Sequence, residues 1–178
     1  MAVYNLLTND APILKVKLSG ISEGLDRLEL VENLVETMRE HKGIGLSASQ
    51  CGVVERVFVM YSDVKENKIM ACFNPQILEY SEDKILMDEG CLTYPGLWLK
   101  VNRPTSIKAE WEDSKGTKGE YALAGLESRI FQHEYDHMEG TNFTERVGKL
   151  KLDMAHKRRK KQLRKLAQHA ANNIRRGY

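Results

Sequence analysis

The segment Gln132-His133-Glu134-Tyr135-Asp136-His137 carries a His-Glu-x-x-His pattern. On an α-helix of about 3.6 residues per turn, side chains four apart lie one above the other. His133 and His137 can therefore direct two imidazoles at one metal ion, with Glu134 beside the first as a base toward water. Helical spacing extends this segment over Gly125 to Gly140, where Leu126, Ile130, His133 and His137 share one face. Two surface histidines on a charged helix would give the same letters. A catalytic metal usually needs three protein ligands and an open position, so a third ligand has to be found elsewhere.

Downstream the chain offers little. The long pattern that adds a third histidine after Gly140 fails, because Phe143 stands where that histidine would be. A distant glutamate ligand is excluded too, since no Glu follows Glu145, and His156 and His169 lie in a basic tail where solvated histidine is the simpler reading. Upstream, Asp88-Glu89-Gly90-Cys91-Leu92-Thr93-Tyr94-Pro95-Gly96 places a cysteine beside a glycine that permits close backbone approach. As a thiolate, Cys91 would complete a Cys/His/His set with one position open.

The 178 residues suit one domain with an appendage. Cys51, Cys72 and Cys91 are scattered and odd in number, which points to a reducing, cytoplasmic setting. Cys72, inside a strand-like run, reads as a small buried hydrophobe. No apolar run approaches the roughly 18 residues of a membrane span, and no signal or transit segment is visible. Net charge is +2, yet residues 1–145 carry 15 Lys/Arg against 24 Asp/Glu, while residues 146–178 carry 12 against Asp153 alone. The division expected is a catalytic domain at 1–148 and a basic helical extension at 149–178.

Residues 1–20 read as an extended arm without chemistry. A packing helix is expected from Leu25 to Arg39, with Ser22 available as its cap. Next, His41 to Gly52 is a loop of small residues around Gln50, suited to lying against a ligand. Strands are expected at Val53–Tyr61, Ile69–Phe73, Gln76–Tyr80, Leu97–Val101, Thr105–Trp111 and Tyr121–Leu123, with a hairpin at Glu112-Asp113-Ser114-Lys115-Gly116. The fold class is thus α+β: short antiparallel or mixed strands around a central metal-binding helix, flanked by N- and C-terminal helices. The tail reads as one helix over 149–176, with a narrow apolar stripe of Leu163, Leu166, Ala167, Ala170 and Ile174 interrupted by Lys157-Arg158-Arg159-Lys160-Lys161.

Three segments in this order resemble the peptide deformylases, and the resemblance covers residues 1–175. Gly43-Ile44-Gly45-Leu46-Ser47-Ala48-Ser49-Gln50 matches the family's glycine-rich motif, with Ser47 where alanine is usual and Ser49 where proline is frequent. Glu89-Gly90-Cys91-Leu92-Thr93 matches its metal-cysteine motif, with threonine for the usual serine. Gln132 to His137 matches its metal helix, followed by Met138 for a common leucine. The resemblance implies removal of the formyl group from the N-terminal formylmethionine of nascent polypeptides, releasing formate. It gives Cys91, His133 and His137 the metal, and makes Glu134 the base that takes a water proton and returns it to the leaving amine. The Gln50 side chain and the Leu92 N–H would stabilise the oxyanion. It implies Fe2+, although Cys/His/His also suits Zn2+, Ni2+ or Co2+.

In similar enzymes the peptide adds as a strand, so Ile44 and Gly45 would offer it backbone hydrogen bonds. Met87, Tyr94, Leu126 and Ile130 are placed around the methionine side chain, with ordinary core packing the alternative for each. Glu89 and Asp136 either orient the metal ligands or pair with Arg103. In bacterial relatives of this kind a basic C-terminal helix docks on the ribosome near the tunnel exit, and the tail's cations suit phosphate without sequence-specific reading. Two other readings stay open: a His-Glu-x-x-His peptidase with a cysteine ligand, and a ribosome- or RNA-binding module whose structural metal takes His156 or His169 as fourth ligand.

Overall fold

The computed structural model describes residues 2–175, the side chains of 173–175 excepted, so Ile174 lies outside the described side chains. Three helices and seven strands follow one another as α1 (Arg27–Glu40), β1 (Gly45–Ser47), β2 (Val57–Asp63), β3 (Lys68–Tyr80), β4 (Lys84–Gly90), β5 (Trp98–Pro104), β6 (Ser106–Glu112), β7 (Lys118–Ala124), α2 (Gly125–Met138) and α3 (Lys149–Arg175). Five strands form one sheet in the order β1-β2-β3-β6-β7, and β4 and β5 form a separate hairpin. All pairings are antiparallel. This is the α+β class expected, with the antiparallel alternative realised.

The centre of the fold is β2. Its run Val57-Phe58-Val59-Met60 is fully buried, as a strand covered on both faces must be. Because successive side chains point to opposite faces, Phe58 and Met60 meet Ile130, Phe131 and Met138 of α2, whereas Val57 and Val59 meet Leu30, Leu34 and Met38 of α1. The His-Glu-x-x-His helix is thereby buried on a sheet rather than exposed on a surface. A third cluster, Leu97, Leu99, Val101 and Phe143, is closed by Ala155 from the first turns of α3.

Several boundaries differ from the sequence expectation. Helix α1 is capped by Asp26, whose side chain accepts the Glu29 N–H, while Ser22 instead binds Glu55 through both its N–H and its hydroxyl. The two strands expected around Asn74-Pro75 are one strand, β3, with a register shift between Phe73 and Gln76 that spares Pro75 a ladder donor. Strands β1 and β4 were not expected. The hairpin at 112–116 joins β6 to β7 as anticipated.

Candidate active site

The hairpin β4–β5 delivers the cysteine. Glu89 pairs with Leu99 and Gly90 with Trp98, and the chain then leaves β4 at Cys91. A side chain at Gly90 would meet the Trp98 ring at 3.3 Å, so the indole lies against bare backbone there. Sheet packing brings α2 alongside, and the ligand atoms of Cys91, His133 and His137 all fall within 4.8 Å of one another. Cys91 Sγ stands 3.4 Å from His137 Nε2. His133 Nδ1 meets Glu89 Oε2 at 3.0 Å, which leaves Nε2 to face the cluster. His137 Nδ1 is buried and has no hydrogen-bond partner among the described residues.

The thiol and the imidazoles beside it shift one another's charge. Burial pushes the Cys91 thiol up, but the His137 and His133 imidazoles outweigh it and hold the thiol well below its ordinary value. His133 goes the other way: burial disfavours its cation, yet its bonds to Cys91 and Glu89 raise it well above the usual histidine range. The remaining cysteines contrast with this. Burial, with the nearby Glu134 charge, pushes Cys51 up to about 12, and burial keeps Cys72 protonated as well. A soft anionic sulfur beside two imidazoles, one of them oriented by a carboxylate, fits a divalent transition metal.

Glu89 and Asp136 resolve differently from one another. Arg103 grips Glu89 with two bonds, at 2.7 and 2.9 Å, and reaches Asp136 at 2.9 Å. Arg129 adds a third bond to Glu89, and Arg146 closes on Asp136. Glu89 thus bonds both arginine and the His133 ring; among the described residues the partners of the Asp136 side chain are arginines. Burial favours the neutral acid at Glu89, but His133 and Arg103 hold it well below the carboxylate range. The network locks β4, β5 and α2 together around the ligands.

Glu134 is 4 % exposed, and Ser47 Oγ donates to its Oε2 at 2.7 Å. Burial raises its carboxyl above the ordinary value against the pull of His133 and His137. Gln50 is fixed at both ends. Its Oε1 accepts the Ser47 N–H, while Nε2 donates to Thr93 Oγ1 at 2.9 Å and lies 3.3 Å from Cys91 Sγ. The amide is thereby oriented with its NH2 toward the ligand sulfur.

These groups open on one cavity of about 720 Å³. Ile44, Gly45, Gln50, Met87, Cys91, Leu92, Tyr94, Leu126, Ile130, His133 and Glu134 all line it, so every site residue read from the sequence except His137 is on its wall. His137 lies behind, almost wholly buried. Ile130 is buried in the wall and Leu126 is half exposed at the mouth. The arm at Leu6, Leu7 and Thr8 also lines the cavity, held by a Leu7 N–H bond to the Gln50 carbonyl. Nothing in those three residues taken alone announces that position.

Strand β1 is the free edge of the five-stranded sheet. Tyr61 N–H donates to the Ile44 carbonyl, so by antiparallel alternation the N–H and C=O of Gly45 point away from β2. An extended peptide can pair there.

Three convergent side chains able to ligate one metal ion, a buried carboxylate beside them and a free strand edge along the cleft are the parts of a metal-dependent hydrolase. The family model for polypeptide deformylase matches residues 3–153. A peptide deformylase of Natranaerobius thermophilus is 39 % identical over 148 residues, covering 83 % of this chain and 94 % of that one. The crystal structure of the peptide deformylase from Thermotoga maritima superposes with a TM-score of 0.77 at 32 % identity, over 83 % of this chain and 99 % of the other. A Synechococcus elongatus peptide deformylase in complex with actinonin gives 0.81 at 29 %, over 87 % and 86 %. The chain belongs to the peptide deformylase family, and its chemistry is hydrolysis of the N-formyl group of formylmethionyl peptides.

Proposed function

We propose that Cys91, His133 and His137 hold one Fe2+ ion in the cell, with Zn2+, Ni2+ or Co2+ able to replace it in purified protein, and that Glu134 is the general base. The observation that carries this reading is the convergence of the three ligand atoms within 4.8 Å beside a buried carboxylate on the same helix. When bound, the ion supplies Lewis-acid activation of water and of the formyl oxygen. Glu134 takes the water proton and passes it to the departing amine nitrogen. The Gln50 NH2 and the Leu92 N–H stabilise the oxyanion, and the Gln50 hydrogen now directed at sulfur is the one free to turn to it.

The peptide backbone pairs at Ile44 and Gly45, along the free edge of β1. The methionine side chain enters the apolar wall made by Met87, Tyr94, Leu126 and Ile130. Residues 1–148 form the catalytic unit, and the basic helix from residue 149 docks on the ribosome near the tunnel exit in the cytoplasm. Supporting the docking, the side chains of Lys157, Arg158, Lys160 and Lys161 are exposed on α3. No helix among the described residues is long and apolar enough to cross a membrane. A structural-metal reading is disfavoured, because His156 and His169 are exposed on α3 and lie outside the ligand cluster.

The test is formate release from a formyl-Met tripeptide by protein loaded anaerobically with Fe2+ or aerobically with Ni2+. Turnover by the parent and its loss in a Glu134→Ala variant that retains the metal support the assignment. An active Glu134→Ala variant removes Glu134 from the role of base.

A further inference from the structure

Strand β1 presents two residues, Gly45 and Ser47, to the same face, since positions two apart in a strand share a side. That face is covered by Glu134. A Cβ at Gly45 would stand 2.5 Å from Glu134 Oε1, so this oxygen rests against bare backbone. The other oxygen, Oε2, receives the Ser47 hydroxyl at 2.7 Å. Ser47 is wholly buried, and its neighbour in the turn, Ser49, leaves its own hydroxyl without a partner among the described residues.

A serine hydroxyl has one hydrogen and two acceptors in reach: Glu134 Oε2 at 2.7 Å and the Glu134 carbonyl at 3.2 Å. The carbonyl sits inside α2, where its lone pair already serves the helix, and the contact is longer. The hydrogen belongs on the carboxylate, because bonds to an ionised acceptor are the shorter and stronger ones. One oxygen of Glu134 is thus tied down, while the other accepts no hydrogen bond among the described residues in a side chain that lines the cavity, and the bond opposes the rotation that would exchange them.

We propose that Ser47 is a positioning residue for deformylation, whose hydroxyl pins Oε2 of Glu134 so that Oε1 alone is presented to the attacking water. The proposal rests on Glu134 serving as the base. Ser47 touches neither substrate nor metal ligand in this role and acts through the carboxylate. Holding a proton-transfer group in its productive orientation lowers the barrier of the chemical step without altering peptide affinity.

The experiment uses full-length, metal-loaded enzyme, with metal content and Tm recorded for each variant. In S47A, kcat for a formyl-Met tripeptide falls by about five- to tenfold while KM stays within about twofold. S47T keeps a hydroxyl on the same carbon and recovers at least half of the lost kcat. In an E134A background S47A has no further effect on the residual rate, since the two side chains act as one unit. An unchanged kcat in S47A, or equal losses in S47A and S47T at full metal content, overturns the role of the hydroxyl while leaving Glu134 as the base. Full activity in E134A would overturn both.

Discussion

At the scale of single residues the site divides into groups whose chemistry is written in their side chains and groups whose role is a matter of space. His133, His137 and Cys91 belong to the first kind: a spacing of four on a helix and the elimination of other ligands were enough to bring them together. Gly45 belongs to the second. As a letter it reads as a flexible loop residue near a peptide, and its edge orientation supports that use. The structure adds that it has no room for a side chain, because Glu134 Oε1 and Cγ would lie 2.5 and 2.9 Å from a Cβ. The backbone at Gly45 does not require glycine, since it is not among the positive-φ positions. Gly45→Ala therefore isolates a steric effect. Its methyl group expels the carboxylate from its seat, and we expect kcat/KM for formyl-Met peptides to fall at least about a hundredfold, with metal content preserved. Measured activity within threefold of the parent would show that the carboxylate has another productive position. The glycine's function could not be read from sequence, because it depends on which side chain of a helix from elsewhere in the chain packs against β1.

Elements that bury one face were legible, and those that do not were missed. Helices α1 and α2 declare themselves by apolar spacing, and β2, β5, β6 and β7 by β-branched and aromatic content. Strand β4 is mostly exposed, so Lys84-Ile85-Leu86-Met87-Asp88 shows no alternation to detect, although it carries Glu89 and positions Cys91. Strand β1 is three residues of a glycine-rich loop. Proline in β3 read as a break, whereas a register shift absorbs it. The same shift creates an attachment for α1: at Glu112, opposite Phe73, Asn74 Nδ2 donates at 3.0 Å to one oxygen and Arg27 Nη2 reaches the other at 2.5 Å. Hydrogen bonding from Asn74 and then Arg27 holds the Glu112 carboxyl below its ordinary value of 4.5. A folded-state pKa below the unfolded one stabilises the fold above the unfolded value and loses that stabilisation as pH falls through the folded value. With these side chains about a quarter exposed, the contribution is modest. Glu112→Gln should lower Tm by roughly 2 °C at pH 7, and the gap should close as pH drops below the ordinary carboxylate range. A gap that persists unchanged at acid pH would mean that shape, not charge, ties α1 to the sheet at this point.

For the molecule as a whole the question is how a catalytic body and a basic helix share one chain. The match to the family model ends at residue 153, and packing places the change of character near the same point. Leu152 and Ala155 complete the cluster of Leu97, Leu99, Val101 and Phe143, whereas beyond them Leu163 and Leu166 are half or more exposed. The first turns of α3 thus pack on the catalytic body, and only the part beyond them stands free of it among the described residues. Deleting the whole helix would therefore uncover the core beneath β5 and confuse stability with docking. Neutralising charge on the exposed part avoids this. Lys157, Arg158, Lys160 and Lys161 replaced together by glutamine leave Ala155 and Leu152 in place and preserve helix-forming residues. Formate release and Tm should match the parent, because none of the four lines the cavity or joins an ion pair among the described residues. Co-sedimentation with ribosomes should weaken sharply. If all four cations contact phosphate, the slope of log affinity against log salt should shrink by about 3. Equal co-sedimentation of parent and variant across that salt range would remove α3 from the ribosome contact and leave its charge as a solvated surface.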